Sequence, residues 1–253
     1  MYNFSIFVDD SIASDFNEKI QFCNKLQLGN MEISDKLDDH YVADLTGEQL
    51  ESYRKLLIRS NKKLVLLNST RSVAELEYYK ELFRKAYTLG VENVNIIIDR
   101  GDEDKELFNN NFKKLCRVAE TYGLEVLTEN SATGFLSNGK AIAIFYGSMN
   151  MQNTGLIFNP LEYVKLKSHP FLHEFYNSKL KGNIKFLRVN DGLFINRLPT
   201  LPAQGNGEIK ELASILLSRS FKGYFSFTPY FEKMNANVYI EVIESFTKLL
   251  MEM

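Results

Sequence analysis

A chain of 253 residues, 45% hydrophobic and 25% charged, has the material for one sizeable core, since barrel-type domains run to roughly 200 to 250 residues. Its 30 Lys plus Arg against 32 Asp plus Glu leave a formal charge of −2, which supplies no global field for a polyanion and argues against nucleic acid as a partner. No apolar run approaches the roughly 18 residues of a membrane span, and the opening segment lacks a cationic n-region and meets Asp9 and Asp10 before an apolar stretch can form, so no signal peptide and a cytoplasmic protein are expected.

Eight short apolar runs punctuate the chain: Phe4 to Val8, Met31 to Ile33, Leu64 to Leu67, Val94 to Ile98, Leu124 to Leu127, Leu156 to Phe158, Ile184 to Val189 and Tyr224 to Phe227. Most begin roughly 30 residues after the one before, the length of a βαβ unit. Uninterrupted runs of this kind suit strands covered on both faces, as in parallel sheets. Amphipathic stretches fill the gaps and predict helices over Asp15 to Leu26, Gly47 to Arg59, Ser72 to Leu89, Lys105 to Tyr122, Glu162 to Leu180, Glu208 to Ser218 and Val238 to Met251. In the third of these, Val73, Leu76, Tyr79, Leu82, Phe83 and Ala86 form one stripe. Ala132 to Met149 mixes glycine, aromatic and small residues and predicts a short or irregular helix. Gly29, Gly90, Gly123, Gly182 and Gly223 precede strands and are expected to supply left-handed helix ends. Cys23 and Cys116 lie far apart within helical patterns and are expected to be reduced and packed. The whole predicts a single (β/α)8 TIM-barrel domain over residues 1–253.

The apolar runs stop at polar residues: Asp9, Ser34, Asn68, Asp99, Glu129, Asn159, Asn190 and Thr228. In a closed barrel these share the C-terminal face, where active sites are built. Taken singly, each marks only where a strand meets a loop; the ring as a whole outlines a pocket. Further on, Gly205-Asn206-Gly207 precedes the helix opening at Glu208, and can be read as helix entry or as a cradle of amides for a phosphate. Glu208 in the first turn disfavours a second anion there, while Arg197 and Lys210 are close in sequence.

From Leu124 onward, Glu129-Asn130, Phe158-Asn159-Pro160, Arg188-Val189-Asn190-Asp191-Gly192, Gly205-Asn206-Gly207-Glu208-Ile209 and Lys222-Gly223-Tyr224-Phe225-Ser226-Phe227 resemble segments of the sugar phosphate isomerase/epimerase family. The resemblance implies a xylose isomerase-like TIM barrel. It also implies one divalent cation (Mn, Zn or Mg) held by a Glu ending strand five, an Asp ending strand six, a His in strand seven and a Glu ending strand eight. Glu129 matches the first position, whereas Asn159, Arg188 and Thr228 stand at the other three, and Glu162 falls where many relatives carry a second His. One carboxylate, an amide, a hydroxyl and a fixed guanidinium do not make a cation site. No metal ligand is therefore assigned and no cofactor is expected. Of the three histidines, His40 lies in the loop after strand two, and Pro170 disturbs the i, i+4 spacing of His169 and His173.

Enzymes of this family abstract a proton next to a carbonyl and stabilise the resulting enediolate. Carried over, the resemblance makes Glu129 the candidate base, with Arg188 standing in for the metal as the group that neutralises an enediolate or binds an acid. Asp99, beside Arg100, is a second candidate acid or base. Asn159, Asn190, Thr228, Asn68 and Arg197 are candidate substrate contacts. A structural alternative for Arg188 is a salt bridge to Glu129. The expected partner is a small carbohydrate or acidic metabolite, and homo-oligomerisation is left open. The functional alternative is a non-catalytic barrel that binds a sugar, polyol or acidic metabolite. An apurinic-site endonuclease would need a multinuclear His- and carboxylate-rich site, which three histidines and no basic excess do not provide.

Overall fold

The computed structural model describes residues 2–98, 104–178 and 180–253. Eight principal strands are β1 (Phe4–Phe7), β2 (Asn30–Ser34), β3 (Lys63–Ser69), β4 (Asn93–Ile96), β5 (Glu125–Glu129), β6 (Thr154–Phe158), β7 (Ile184–Arg188) and β8 (Tyr224–Phe227). They hydrogen-bond in the order β1-β8-β7-β6-β5-β4-β3-β2, a closed barrel, so each predicted apolar run is a barrel strand. The helices are α1 (Phe16–Lys25), α2 (Gly47–Arg59), α3 (Leu76–Leu89), α4 (Lys105–Glu120), α5 (Gly139–Met149), α6 (Pro160–Lys165), α7 (Ile209–Leu217) and α8 (Ala236–Met251).

Two local expectations are corrected. The helix predicted over Glu162 to Leu180 is broken: α6 ends at Lys165, Lys167 turns left-handed (φ 56°), and a π-helical turn follows over Pro170–Tyr176. Pro170 has no N–H to continue the ladder, and its ring collides with the preceding turn. Of the five glycines expected to be left-handed, only Gly90 (φ 77°) and Gly123 (φ 67°) are so. Ahead of β2 and β8 that conformation falls instead to Gln27 and Ser220.

The described residues gather into two compact units. The N-terminal unit, Ser5–Thr128 with Met149–Gly155, contains the parallel ladders β1–β2, β2–β3, β3–β4 and β4–β5, with a bulge between Met31 and Glu32. Helices α1 and α2 start on side-chain caps: Asp15 accepts from the Glu18 amide, and Thr46 and Gln49 form a capping box on α2. Leu64, Leu66, Val94 and Val126 are buried in its strands, as are Leu82, Phe83, Phe108 and Phe112 on its helices. Cys23 and Cys116 are free and buried, and burial pushes both thiols up to about 12, so neither is a nucleophile at neutral pH.

The C-terminal unit, Met1–Phe4, Glu129–Ser148 and Leu156–Met253, contains the β6–β7 and β7–β8 ladders, in which Arg188 is paired with Ser226. Phe4, Phe225, Phe227 and Phe246 pack with ring centroids 5.2 to 6.4 Å apart. Each such ring contributes about 1.5–3 kcal/mol on full burial. Pro160 starts α6 at its first turn, where a missing N–H costs nothing. Among the described residues no helix is long and apolar enough to cross a membrane.

Candidate functional site

In the C-terminal unit, β5 ends in Glu129 and β7 ends in Arg188. The two form an ion pair: Arg188 Nη2 donates to Glu129 Oε2 at 2.8 Å and Nε to the same oxygen at 3.2 Å. A third guanidinium nitrogen, Nη1, donates to Ser226 Oγ at 2.6 Å. Arg188 is 3% exposed and the Glu129 side chain 22%. Glu129 Oε1 in turn accepts from Asn159 Nδ2 at 2.7 Å, so both carboxylate oxygens hold donors. Asn159 Oδ1 accepts from Asn190 Nδ2 at 2.9 Å, and Asn190 Oδ1 accepts from the Leu161 amide at 3.1 Å. The result is one chain of bonds running Asn190, Asn159, Glu129, Arg188, Ser226. Beside it, Asn130 clamps the start of α6, its side chain accepting from the Asn159 amide at 2.7 Å and donating to the Asn159 carbonyl at 2.9 Å.

This chain borders a cleft of about 360 Å³, within the range of about 300 to 1,000 Å³ typical of small-molecule sites. Asn159, Glu162 and Lys165 line it from α6 and its N-cap, and Glu162 and Lys165 are ion-paired. Arg197 and Pro199 line it from the segment after β7, and Thr228, Tyr230 and Glu232 from the segment after β8. Asn190, Leu161, Pro229 and Phe231 complete the lining. Four of the five predicted substrate contacts, Asn159, Asn190, Thr228 and Arg197, thus share one cleft. Glu129 and Arg188 adjoin it through Asn159 and do not line it.

The segment after β7 is organised by Asp191, which the family-like motif contains but for which the sequence suggested no role. Asp191 is 1% exposed. Oδ1 accepts from the amides of Gly192 (2.7 Å) and Gly207 (2.6 Å), and Oδ2 from the amide of Gly205 (3.0 Å). Burial pushes this carboxyl above its ordinary value, while the amides pull the other way. Glycine is required at 205 and 207 because a Cβ there would come within 2.4 and 2.7 Å of Asp191 Oδ1. The amides that could have cradled a phosphate therefore already hold the chain's own carboxylate. Glu208 caps nothing by its side chain and is left-handed (φ 49°); its carboxylate instead accepts from the Phe171 amide at 3.0 Å and lies 3.4 Å from His169 Nδ1.

In the N-terminal unit, Asn68 is 3% exposed, donates to the Ile33 carbonyl at 3.1 Å and accepts from Asn95 Nδ2 at 2.9 Å. Its polar atoms serve the framework, and it does not line the cleft. Glu32 is a fully buried carboxylate that accepts from Ser5 Oγ at 2.6 Å. Sequence reading passed over it because it sits inside the apolar run Met31 to Ile33; the one visible signal was a charge within that run. Ser226 was missed for the same reason, as a small residue between two phenylalanines. Asp99 and Arg100 lie outside the described residues.

The four residues at the family's cation positions do not fit a divalent metal. Glu129 meets Arg188 and the Asn159 amide where a cation would approach it, and a fixed positive charge neutralises the one carboxylate. Among the described residues no three Asp, Glu, His or Cys side chains gather in a metal-holding group. The rings of His169 and His173 are 5.3 Å apart and at 83° to each other.

No family model matches the chain, and no curated protein does. Solved structures match over nearly its full length. A xylose isomerase-like TIM barrel protein from Mycobacterium smegmatis in complex with magnesium aligns with a TM-score of 0.76 at 13% identity, covering 100% of this chain and 97% of that one. IolI with a binding zinc atom gives 0.75 at 17%, covering 98% of each. The probable 3-DHS dehydratase AsbF of petrobactin synthesis from Bacillus anthracis gives 0.76 at 11%, covering 97% of this chain and 98% of that one. The chain has the xylose isomerase-like TIM-barrel fold, and the resemblance read from its strand ends is borne out at that level.

Proposed function

We propose that this chain binds a small carbohydrate or acidic sugar derivative in the cleft beside Asn159, with the Glu129–Arg188 pair standing where barrels of this fold hold a metal. The single observation that carries the reading is Asn159 itself: it lines a cleft of sugar size and is hydrogen-bonded to Glu129. Neighbours in fold include proteins described as a xylose isomerase domain protein and a D-tagatose 3-epimerase-like protein, which supports a carbohydrate as the ligand class. Thr228 and Arg197 have no side-chain partner among the described residues and offer a hydroxyl and a guanidinium to the ligand. Asn190 is engaged at both ends and sets the orientation of Asn159.

Binding without turnover is the reading this geometry supports best. A general base must reach the proton it removes, and an enediolate needs a cation within reach; neither Glu129 nor Arg188 lines the cleft, and Arg188 already serves Glu129 and Ser226. A second reading, isomerase-type proton transfer by Glu129, is favoured by one feature: Oε1 lies behind the amide of a residue that itself lines the cleft, so a ligand that moves Asn159 opens a way to that oxygen. Thermal unfolding with a panel of aldoses, ketoses, sugar acids and sugar phosphates tests the first reading, which expects ligand-dependent stabilisation. Solvent-deuterium incorporation into the same panel tests the second, and loss of that exchange in Glu129→Gln assigns the base. Stabilisation without exchange establishes binding alone; neither effect rejects both.

A further inference from the structure

We infer that Asp191 is a positioning residue that fixes the hairpin presenting Arg197 to an acidic group of the ligand. The inference rests on the carbohydrate reading of the cleft and narrows its ligand to a sugar bearing a carboxylate or phosphate. Arg197 sits in the hairpin loop closed by the antiparallel pairs Asp191–Thr200 and Gly192–Pro199, with φ at +62°. That left-handed conformation is uncommon for a long side chain, and it persists only where the surroundings over-determine it. Here they do. The Arg197 amide donates to the Leu193 carbonyl at 2.8 Å, and the Leu193 amide to the Leu198 carbonyl at 3.0 Å.

The base of the hairpin has no slack. Asp191 gathers the amides of Gly192, Gly205 and Gly207 at 2.6 to 3.0 Å. Gly192 lies so close to α6 that a Cβ would reach 2.5 Å from Leu161 Cδ1. Tyr230 donates its hydroxyl to the Thr200 carbonyl at 2.9 Å, tying the hairpin to the segment after β8. The backbone that carries Arg197 is thereby held in place, so less of it has to be ordered when a ligand binds.

Charge points the same way. Of the four charged lining residues, Glu162 and Lys165 neutralise one another. Arg197 and Glu232 have no ion-pair partner among the described residues. Glu232 repels an acid from its own wall, which leaves Arg197 as the end of the cleft that receives one, by charge-assisted hydrogen bonds.

The test is calorimetric titration of the intact chain with glucose, gluconate and glucose 6-phosphate. Gluconate or glucose 6-phosphate is expected to bind about tenfold tighter than glucose or better, and which of the two does so separates a carboxylate from a phosphate ligand. Arg197→Ala is expected to abolish the preference. Asp191→Asn turns one acceptor into a donor facing an amide, and is expected to weaken acid binding more than glucose binding and so bring the acid-to-neutral ratio towards one. Should that variant not fold, Tyr230→Phe removes the second tie and is expected to lower the same ratio by a smaller factor. Equal binding of all three probes by the wild type, or an equal loss for acid and neutral probes in Asp191→Asn, overturns the inference and leaves the carbohydrate reading standing. Binding of none of the three overturns that reading and this one together.

Discussion

Two asparagine pairs among the described residues are built alike. In the N-terminal unit Asn95 donates to Asn68, and in the C-terminal unit Asn190 donates to Asn159, both at 2.9 Å. What the second member does next separates them. Asn68 passes its amide to the Ile33 carbonyl, whereas Asn159 passes its amide to the Glu129 carboxylate, which is joined to Arg188. The first pair is buried framework; the second borders a cleft. The same residue at the end of a barrel strand is thus structural or functional according to the group it is chained to, and strand-end polarity alone does not separate the two.

The sharpest way to break this contrast is to remove the charge at the end of the second chain. Arg188→Met deletes the partner of a carboxylate that is mostly buried, and removing one member of such a pair costs about 3–5 kcal/mol. Urea unfolding is expected to register that loss, and a ΔΔG under about 1 kcal/mol, the range of exposed pairs, would show that Glu129 is solvated and the pair ornamental. A double cycle with Glu129→Gln isolates the coupling between the two.

Intermediate effects come from the asparagines themselves. Asn68→Ala leaves the Ile33 carbonyl and the Asn95 amide without the partners they have here, at about 1–3 kcal/mol for a buried unsatisfied group, and is expected to leave ligand binding untouched. Asn159→Ala faces a cleft that water can enter, so the expectation reverses: a smaller loss of stability and a larger loss of ligand affinity. Paired urea and binding measurements on the two variants decide it. Equal effects of both substitutions on binding would erase the distinction drawn between the two pairs.

The barrel was legible in the sequence because its signal is redundant: an apolar run such as Leu64 to Leu67 reads as a strand whatever its partners. The site was legible in part. Glu129, Asn159, Asn190 and Thr228 stand at run ends, where polarity is visible, and the Glu129–Arg188 bridge was one of the two readings open for that arginine. Ser226 was not legible, since its role follows from its register opposite Arg188, and Glu32 was hidden in a strand buried on both faces. Pro170 was visible as an obstacle to pairing His169 with His173, yet amphipathic periodicity carried the predicted helix through it to Leu180. Asp191 lacked a signal of its own. Its trace was the pair Gly205 and Gly207, whose lack of Cβ atoms admits the carboxylate and was read as helix entry or phosphate cradle.

The smallest effect concerns that carboxylate. Burial holds the Asp191 carboxyl above its ordinary 3.8, against the pull of its backbone amides. A folded state that holds a proton more tightly than the unfolded one is most favoured below 3.8, and this contribution is lost as pH rises through the folded value. Exposed carboxylates such as Glu18 and Glu81 are shifted down by their hydrogen bonds to Ser14 and Arg84 and act in the opposite sense, so the total slope is not diagnostic. The difference between wild type and Asp191→Asn is. Measured by urea unfolding from pH 3 upward, the stability of the wild type relative to the variant is expected to decline with rising pH and then level off once the folded carboxyl is ionised. A difference that rises with pH would mean that the backbone amides outweigh burial. In that case Asp191 clamps its hairpin chiefly as an anion, and the tie on Arg197 would be tighter at neutral pH than in acid.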